Sequence, residues 1–258
     1  MNILVVGSGG REHAIIKKLS FDNYLNHNNN KLFCTGLYKN PGISKYTQDY
    51  LVEPMNTFEN VIQVINHNNI SLVVIGPEKY LEMGLSDLLR GMKIPCVGPD
   101  SQFAKIETSK GFLRNLMMKY NMKEMCPKFK IFNNNDTKGD MSKSYEFLKY
   151  LDGNFVIKYD GLKGGKGVKV SGMDLHTVEE GIQYCSKLDR YVIEEKLIGK
   201  EFSLMSFSDG INLVHMPPVQ DFKRLNCGDT GEQTGGMGCI GYPAFLTDDD
   251  VHLAQKLN

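Results

Sequence analysis

Four short apolar runs in the first hundred residues each stop at a glycine, and this repetition constrains the fold more than any other feature of the chain. Residues 3–6 lead into Gly7-Ser8-Gly9-Gly10, residues 32–35 into Gly36, residues 72–75 into Gly76-Pro77-Glu78, and residues 96–97 into Gly98-Pro99. Continuous aliphatic and β-branched runs suit strands buried on both faces. Between them lie stretches of helical spacing: one through Leu19, one over residues 58–66 and one over residues 84–91. Strand, glycine turn and helix in succession build a doubly wound parallel sheet. Ligands of such sheets bind beyond the carboxyl ends of the strands, where these glycine turns fall.

After residue 100 the pattern changes. Residues 109–120 form a helical stripe with Lys110 at its start. Short strands are then predicted over 128–132, 155–159, 168–171 and 191–195, with helices over 142–150 and 177–186, which is a small α+β unit. Within it the chain reads FVIKYDGLKGGKGVKV from Phe155 to Val170. Its central loop holds Gly161, Gly164, Gly165 and Gly167, with Lys163 and Lys166 between them. Glycines let successive backbone N–H groups approach oxygen atoms with no Cβ in the way, and lysines supply the opposing charge, so this loop suits a polyphosphate. It departs from G-x-x-x-x-G-K-[ST], because no Ser or Thr follows to bind magnesium and a strand comes in place of a helix. It is therefore a hairpin lid. Residues 202–209 and 211–216 read as a second hairpin around Asp209-Gly210. Residues 220–238 read as a charged loop beside a glycine loop, and Thr247 with Asp248, Asp249 and Asp250 opens a helix.

Lys plus Arg and Asp plus Glu both number 30, so no sign-dominated surface for nucleic acid or an anionic membrane is indicated. The six cysteines are scattered with no C-x-x-C pair, which favours reduced thiols in a cytoplasmic setting. A charged Arg-Glu pair follows the first four apolar residues too closely for a signal segment, and no apolar run is long enough to span a membrane. A soluble protein is expected.

The first turn, with Gly7, Gly9 and Gly10, invites a dinucleotide reading that fails twice. Glu12 stands at the third glycine position of G-x-G-x-x-G, and the second strand ends Cys34-Thr35-Gly36 with no acid to hold an adenosine ribose. What remains is a helix N-terminus able to hold one phosphate or sugar phosphate, helped by Arg11. Lys158 interrupts an otherwise apolar strand beside the glycine hairpin, where an anion would hold it inward. The last predicted strand of this unit ends at Glu194 and Glu195, with Leu197 and Glu201 following. Backbone groups there can pair with an adenine edge and Glu201 can accept from ribose hydroxyls; a solvated strand end is the plain alternative. Asp221, Lys223 and Arg224, followed by Thr234, Gly235, Gly236 and Gly238, suit an acidic or phosphorylated small molecule. No Ser/His/Asp or Cys/His nucleophile pattern is legible, and the six histidines show no metal spacing.

Together these residues resemble the phosphoribosylamine–glycine ligase family of ATP-grasp enzymes. The resemblance runs nearly end to end: VVGSGGREHAI at 5–15, IGPE at 75–78, VGP at 97–99, SK at 109–110, VIKYDGLKGGKGV at 156–168, IEEKLIGKEFS at 193–203 and QDFKRLNCGDTGEQTGGMG at 220–238. GGREHA with DTG…TGGMG is specific to the family, whereas the lysine and glycine hairpin is shared by many ATP-grasp ligases. The resemblance implies an α/β protein, a doubly wound parallel sheet followed by an incomplete α+β ATP-grasp domain. Its implied divisions are an N-terminal domain over 1–105, a connecting helix over 106–127, a lid over 128–193 and the first part of a larger lobe over 194–258.

The resemblance also implies chemistry. Glycine carboxylate attacks the γ-phosphate of ATP with Mg2+ present, and the amine of phosphoribosylamine then displaces phosphate from the glycyl phosphate. Positioning and charge neutralisation carry both steps, in keeping with the absence of a nucleophile triad. By position, Lys110, Lys158, Gly161, Gly164, Gly165, Lys166 and Gly167 would hold the phosphates, and Glu194, Glu195, Leu197 and Glu201 would surround adenine and ribose. Gly9, Gly10, Arg11, Glu12 and Glu78 would face the phosphoribosyl group. Asp221, Lys223, Arg224, Thr234, Gly235, Gly236 and Gly238 would face the glycyl and phosphoribosyl groups, with Lys158, Lys166, Asp221 and Arg224 nearest the reacting atoms.

Three departures alter the last loop: Phe222 replaces the family's usual His, Cys227 falls at or beside an Asp or Glu position, and Glu232-Gln233 replaces Pro-Asn. The family's magnesium-binding Glu and Asn belong to an E-x-N strand absent from these residues, so no metal ligand is expected here. The 258 residues alone are expected to bind nucleotide weakly and ligate poorly, with a longer chain or a separate C-terminal part supplying the metal site. Other readings are a different ATP-grasp carboxylate–amine ligase, which would share the hairpin but not DTG…TGGMG, a nucleotide-binding fragment without catalysis, and, weakest, an oxidoreductase.

Overall fold

The computed structural model describes every residue except Asn28, Met55, Asn56, Lys138 and Gly165. The chain forms two compact units, Met1–Leu113 and Arg114–Asn258.

The first unit runs β1 (Asn2–Val6), α1 (Gly10–Leu25), β2 (Lys31–Gly36), α2 (Pro41–Ser44), β3 (Asp49–Val52), α3 (Glu59–Asn68) and β4 (Leu72–Ile75). It continues through α4 (Glu78–Glu82), α5 (Leu85–Gly91), β5 (Cys96–Val97) and α6 (Ser101–Thr108). The five strands form a parallel sheet in the order β3-β2-β1-β4-β5. In β1, Leu4 and Val6 point into one apolar cluster with Val61, Ile65 and Leu89, while Ile3 and Val5 point into another with Ile16 and Ile43. A strand covered on both faces needs no polar alternation, which is why its sequence is a continuous apolar run. Each fully buried aliphatic side chain of this kind contributes about 1.5–3 kcal/mol.

Strand order reverses beside β1: β2 and β3 lie to one side, β4 and β5 to the other. The turns after β1 and β4 therefore leave the sheet side by side at its carboxyl edge. Gly7 has φ +125, and a Cβ there would lie 2.6 Å from Glu12 Cγ; Gly76, after β4, closes on the same Glu12 carboxylate. The two glycines make room for one buried acid, Glu12, 3% exposed. Strand β3 and helices α2 and α6 were not anticipated, because each is short and bounded by polar residues. The helix expected over 84–91 is preceded by a separate one, α4, with Gly84 at φ +87 between them.

Helix α7 (Lys110–Lys119) crosses the division between units. The second unit continues through β6 (Phe129–Asn133), α8 (Asn134–Thr137), α9 (Ser142–Tyr150), β7 (Phe155–Tyr159), β8 (Val168–Val170), α10 (Val178–Cys185) and β9 (Arg190–Glu195). An antiparallel sheet forms in the order β6-β9-β7-β8. Phe155 and Ile157 of β7 and Tyr191 and Ile193 of β9 pack with Phe147 and Leu148 of α9. Period-two alternation turns Val156, Lys158, Val192 and Glu194 to the opposite face. β9 runs across residues 193 and 194, where the lid was divided from the lobe on sequence.

The remaining strands are β10 (Ser206–Ser208), β11 (Leu213–His215), β12 (Val219–Asn226) and β13 (Thr230–Gly241), before α11 (Asp248–Leu257). β10 and β11 form the expected hairpin in shortened form. The charged and glycine loops expected over 220–238 are corrected: they are two long antiparallel strands. Register shifts on either side of Arg224, and glycines at positive φ such as Gly236 and Gly238, break the period-two pattern that would have marked them as strands. Thr247 caps α11: its Oγ1 accepts from Asp250 N–H, and its own N–H donates to Asp250 Oδ2 at 2.9 Å. No helix among the described residues is long and apolar enough to cross a membrane.

Candidate functional site

At the carboxyl edge of the first sheet, α1 starts at Gly10, and Gly9 N–H donates to Glu12 Oε2 at 2.6 Å. Arg11 reaches from this helix to Glu78 at the head of α4, Nη1 to Oε1 at 2.7 Å and Nη2 to Oε2 at 3.4 Å. Burial would raise the Glu78 carboxyl, but the Arg11 guanidinium holds it below its ordinary value. The structure thus collects Gly9, Gly10, Arg11, Glu12 and Glu78 at the point where strand order reverses. Two carboxylates and one guanidinium suit sugar hydroxyls together with one anionic group. A Cβ on Gly10 would meet nothing within 4 Å, which leaves open space at the helix start. Lys110, also of this unit, is the half-buried first residue of α7, whose first turn is capped by Ser109 Oγ accepting from Phe112 N–H at 3.0 Å.

In the second unit the glycine hairpin joins β7 to β8. Its base is held by Asp160, whose carboxylate accepts from Arg190 Nη2 at 2.8 Å and whose N–H donates to Arg190 O. Gly161 and Gly167 press on the Tyr159 side chain, where a Cβ would come within 2.6 and 3.0 Å. Gly164 has φ +55, and the Lys163 ammonium lies 4.7 Å over the Tyr159 ring. Gly164 and Lys166 are exposed, and Gly165 lies outside the described residues.

Below the hairpin, Lys158 Nζ donates to Glu194 Oε2 at 2.6 Å. Arg114 of α7 grips the same carboxylate with Nε on Oε1 at 2.6 Å and Nη2 on Oε2 at 3.1 Å. Glu194 is 1% exposed, so the solvated strand end is excluded for it. Burial alone would push its carboxyl up, yet Arg114 and Lys158 hold it below its ordinary value. Two cations on one carboxylate leave a net positive charge on the sheet face beside the hairpin. Arg114 was missed on sequence; its spacing of four residues from Lys110 puts both cations on one face of a helix, which was the available signal.

The neighbouring residues separate from this cluster in their roles. Glu195 accepts from Lys128 N–H at 3.3 Å, Leu197 is 69% exposed, and Glu201 pairs with Lys223. On β12 and β13, Thr234 Oγ1 donates to Lys223 O and accepts from Gly236 N–H, while a Cβ on Gly236 would sit 3.4 Å from Asp221 Oδ1. Gly235 and Gly238 are exposed on the same strand. Arg224 turns inward: Nη1 donates to Asp174 Oδ1 at 3.2 Å and to Gly231 O at 2.8 Å. Among the described residues no group of three or more His, Cys, Asp or Glu could hold a metal ion.

Residues 1–107 match the family described as phosphoribosylglycinamide synthetase, N domain, and residues 108–257 the phosphoribosylglycinamide synthetase, ATP-grasp (A) domain. Among curated relatives, phosphoribosylamine–glycine ligase of Methanocella arvoryzae is 40% identical, over 98% of this chain and 57% of the relative. That of Methanocorpusculum labreanum is 42% identical, over 100% of this chain and 58% of the relative. The chain therefore spans somewhat more than half the length of these relatives. Among solved structures, phosphoribosylamine–glycine ligase from Thermotoga maritima superposes with a TM-score of 0.75 at 28% identity, covering 100% of this chain and 59% of that one. An ADP complex of N5-carboxyaminoimidazole ribonucleotide synthetase, at 17% identity and a TM-score of 0.67, shares the fold.

Proposed function

This chain belongs to the phosphoribosylglycinamide synthetase family, and from that premise we propose that it serves the ATP-dependent joining of glycine to 5-phosphoribosylamine. A glycine carboxylate oxygen bonds to the γ-phosphorus of ATP and ADP leaves. The phosphoribosylamine nitrogen then bonds to the glycyl carbon, phosphate leaves with the electron pair of its bond, and the nitrogen loses a proton. The products are glycinamide ribonucleotide, ADP and phosphate.

The observation that carries this reading is the Arg114–Glu194–Lys158 cluster at the foot of the glycine hairpin. Its net positive charge and partly exposed Lys158 suit a nucleotide phosphate, which Lys166 and the amides of Gly161, Gly164 and Gly167 would cap. Glu194, Glu195, Leu197 and Glu201 would border adenine and ribose. Gly9, Gly10, Arg11, Glu12 and Glu78 would take the phosphoribosyl group, and Asp221, Lys223, Arg224 and the stretch of β13 from Thr234 to Gly238 the glycyl end. Mg2+ bound with the nucleotide would neutralise charge building on the transferring phosphoryl group.

The test is ADP release by the protein that carries these residues at its natural length, followed with a coupled assay while glycine and phosphoribosylamine are supplied singly and together. Release that needs both substrates supports the reading. Turnover stimulated by a different acid or amine, or ATP binding that raises the melting temperature without consumption under any combination, overturns it.

A further inference from the structure

Among the described residues of the second unit, β6 forms an edge of its sheet and pairs with β9 alone. Glu195 N–H donates to Lys128 O, and Asn134 N–H donates to Asp189 O. Antiparallel alternation then turns the main-chain groups of Lys130 and Phe132 toward β9, and those of Phe129, Ile131 and Asn133 toward the outer edge. No strand covers that edge among the described residues.

A cavity of about 590 Å³ lies against this edge, walled by β6 on one side and α9 on the other. Phe129, Phe147, Met118 and Cys126 supply apolar lining. Lys123, Lys128 and Lys130 line it against the single acid Glu146. Two of these ammonium groups lean over rings of α9, Lys130 at 4.9 Å from the Phe147 centroid and Lys128 at 5.5 Å from that of Tyr150. Lys128 also lies 3.9 Å from Glu195 Oε1. An open edge strand, a helix beside it and an apolar hollow between them form a groove that can take an extended peptide, with main-chain hydrogen bonds supplying affinity and the hollow supplying selectivity.

We propose that this groove docks an extended acidic segment of a partner protein, which adds to β6 as a fifth strand and seats an apolar side chain in the hollow. Charge decides the occupant. A second copy of β6 would crowd Lys128 and Lys130 of both copies into one seam, which disfavours self-pairing, whereas a strand bearing carboxylates meets three cations. This assignment does not depend on the ligase reading.

A fluorescein-labelled heptapeptide alternating glutamate with valine and phenylalanine, titrated into the full chain and followed by anisotropy, tests it. Saturable binding is expected, weakening about tenfold in Ile131→Pro, which removes an outward donor while keeping the inner ladder. Lys123→Glu combined with Lys130→Glu is expected to weaken it at least as much. The same peptide N-methylated at alternate residues is expected not to bind the unaltered protein, a comparison that needs no variant to fold. Equal binding of the N-methylated peptide would show a simple anion pocket and overturn the proposal, as would the absence of saturable binding.

Discussion

Lys158 and Glu194 meet at 2.6 Å although they are not opposite one another in the sheet: Lys158 is registered with Val192, and Glu194 with Val156. The diagonal reach puts the Lys158 ammonium on Oε2, the oxygen that Arg114 Nη2 also takes, and leaves Oε1 to Arg114 Nε. One buried carboxylate thus aligns two cations on the sheet face beside the glycine hairpin.

Glu194→Ala removes the anion between them. Breaking a fully buried pair costs about 3–5 kcal/mol, and partial exposure of Arg114 and Lys158 reduces the expected loss here to about 2–3 kcal/mol. Urea denaturation measures it; a loss below about 0.5 kcal/mol would mean that solvent already screens the cluster.

The same carboxylate gives a pH dependence of defined sign. Its folded pKa lies below the ordinary 4.5, so its contribution is fully present above that value and is lost as pH falls through the folded value. The unaltered chain should therefore lose stability on acidification below about pH 5 more steeply than Glu194→Gln does. Parallel curves for the two proteins in denaturant titrations would exclude a charge-bearing role for this pair of cations and their acid.

Two neighbouring glycines should respond in opposite ways. Gly7→Ala places a methyl at positive φ against Glu12 Cγ, and a loss of about 1–3 kcal/mol is expected. Gly10→Ala meets open space in the first turn of α1 and should be neutral or stabilising by up to about 1 kcal/mol. Thermal unfolding separates them, and a Gly7→Ala variant as stable as its parent would contradict the tight approach of the two turns to Glu12.

Arg224→Met should loosen the β12–β13 hairpin, because Asp174 and Gly231 O lose their shared donor. A cost of about 1.5–3 kcal/mol is expected for hydrogen bonds to a charged group. Limited proteolysis should then cut faster at residues 226–230. An unchanged cleavage pattern would place the anchoring of the hairpin elsewhere.

The thiols should divide by burial. Burial pushes Cys34 and Cys185 up to about 12, while Cys227 and Cys239 are exposed. Alkylation with iodoacetamide at pH 8, mapped by mass spectrometry, should label Cys227 and Cys239 first, since only the thiolate reacts. Early labelling of Cys34 would show that the first sheet opens readily.

Much of the architecture was legible because its signals are local. The apolar runs of β1 and β4 and the glycines that end them needed only near neighbours to be read. The glycine hairpin was equally plain, its strands matching β7 and β8. The hairpin of β12 and β13 was hidden because glycines at positive φ and shifts of register erase alternation. Strand β3 was hidden because four residues between polar neighbours carry too little pattern.

The chain's own order of residues determined which strand faces are buried, where the backbone must turn left-handed, and which lysines stand beside a glycine-rich bend, since each follows from period, side-chain volume or the lack of a Cβ. Only the tertiary structure decided that Arg114, 80 residues from Glu194, grips its carboxylate, and that Arg224 turns inward to Asp174, 50 residues away. A charge has no preferred partner until packing removes its water and brings one acceptor within reach, so pairing at that range belongs to the folded chain.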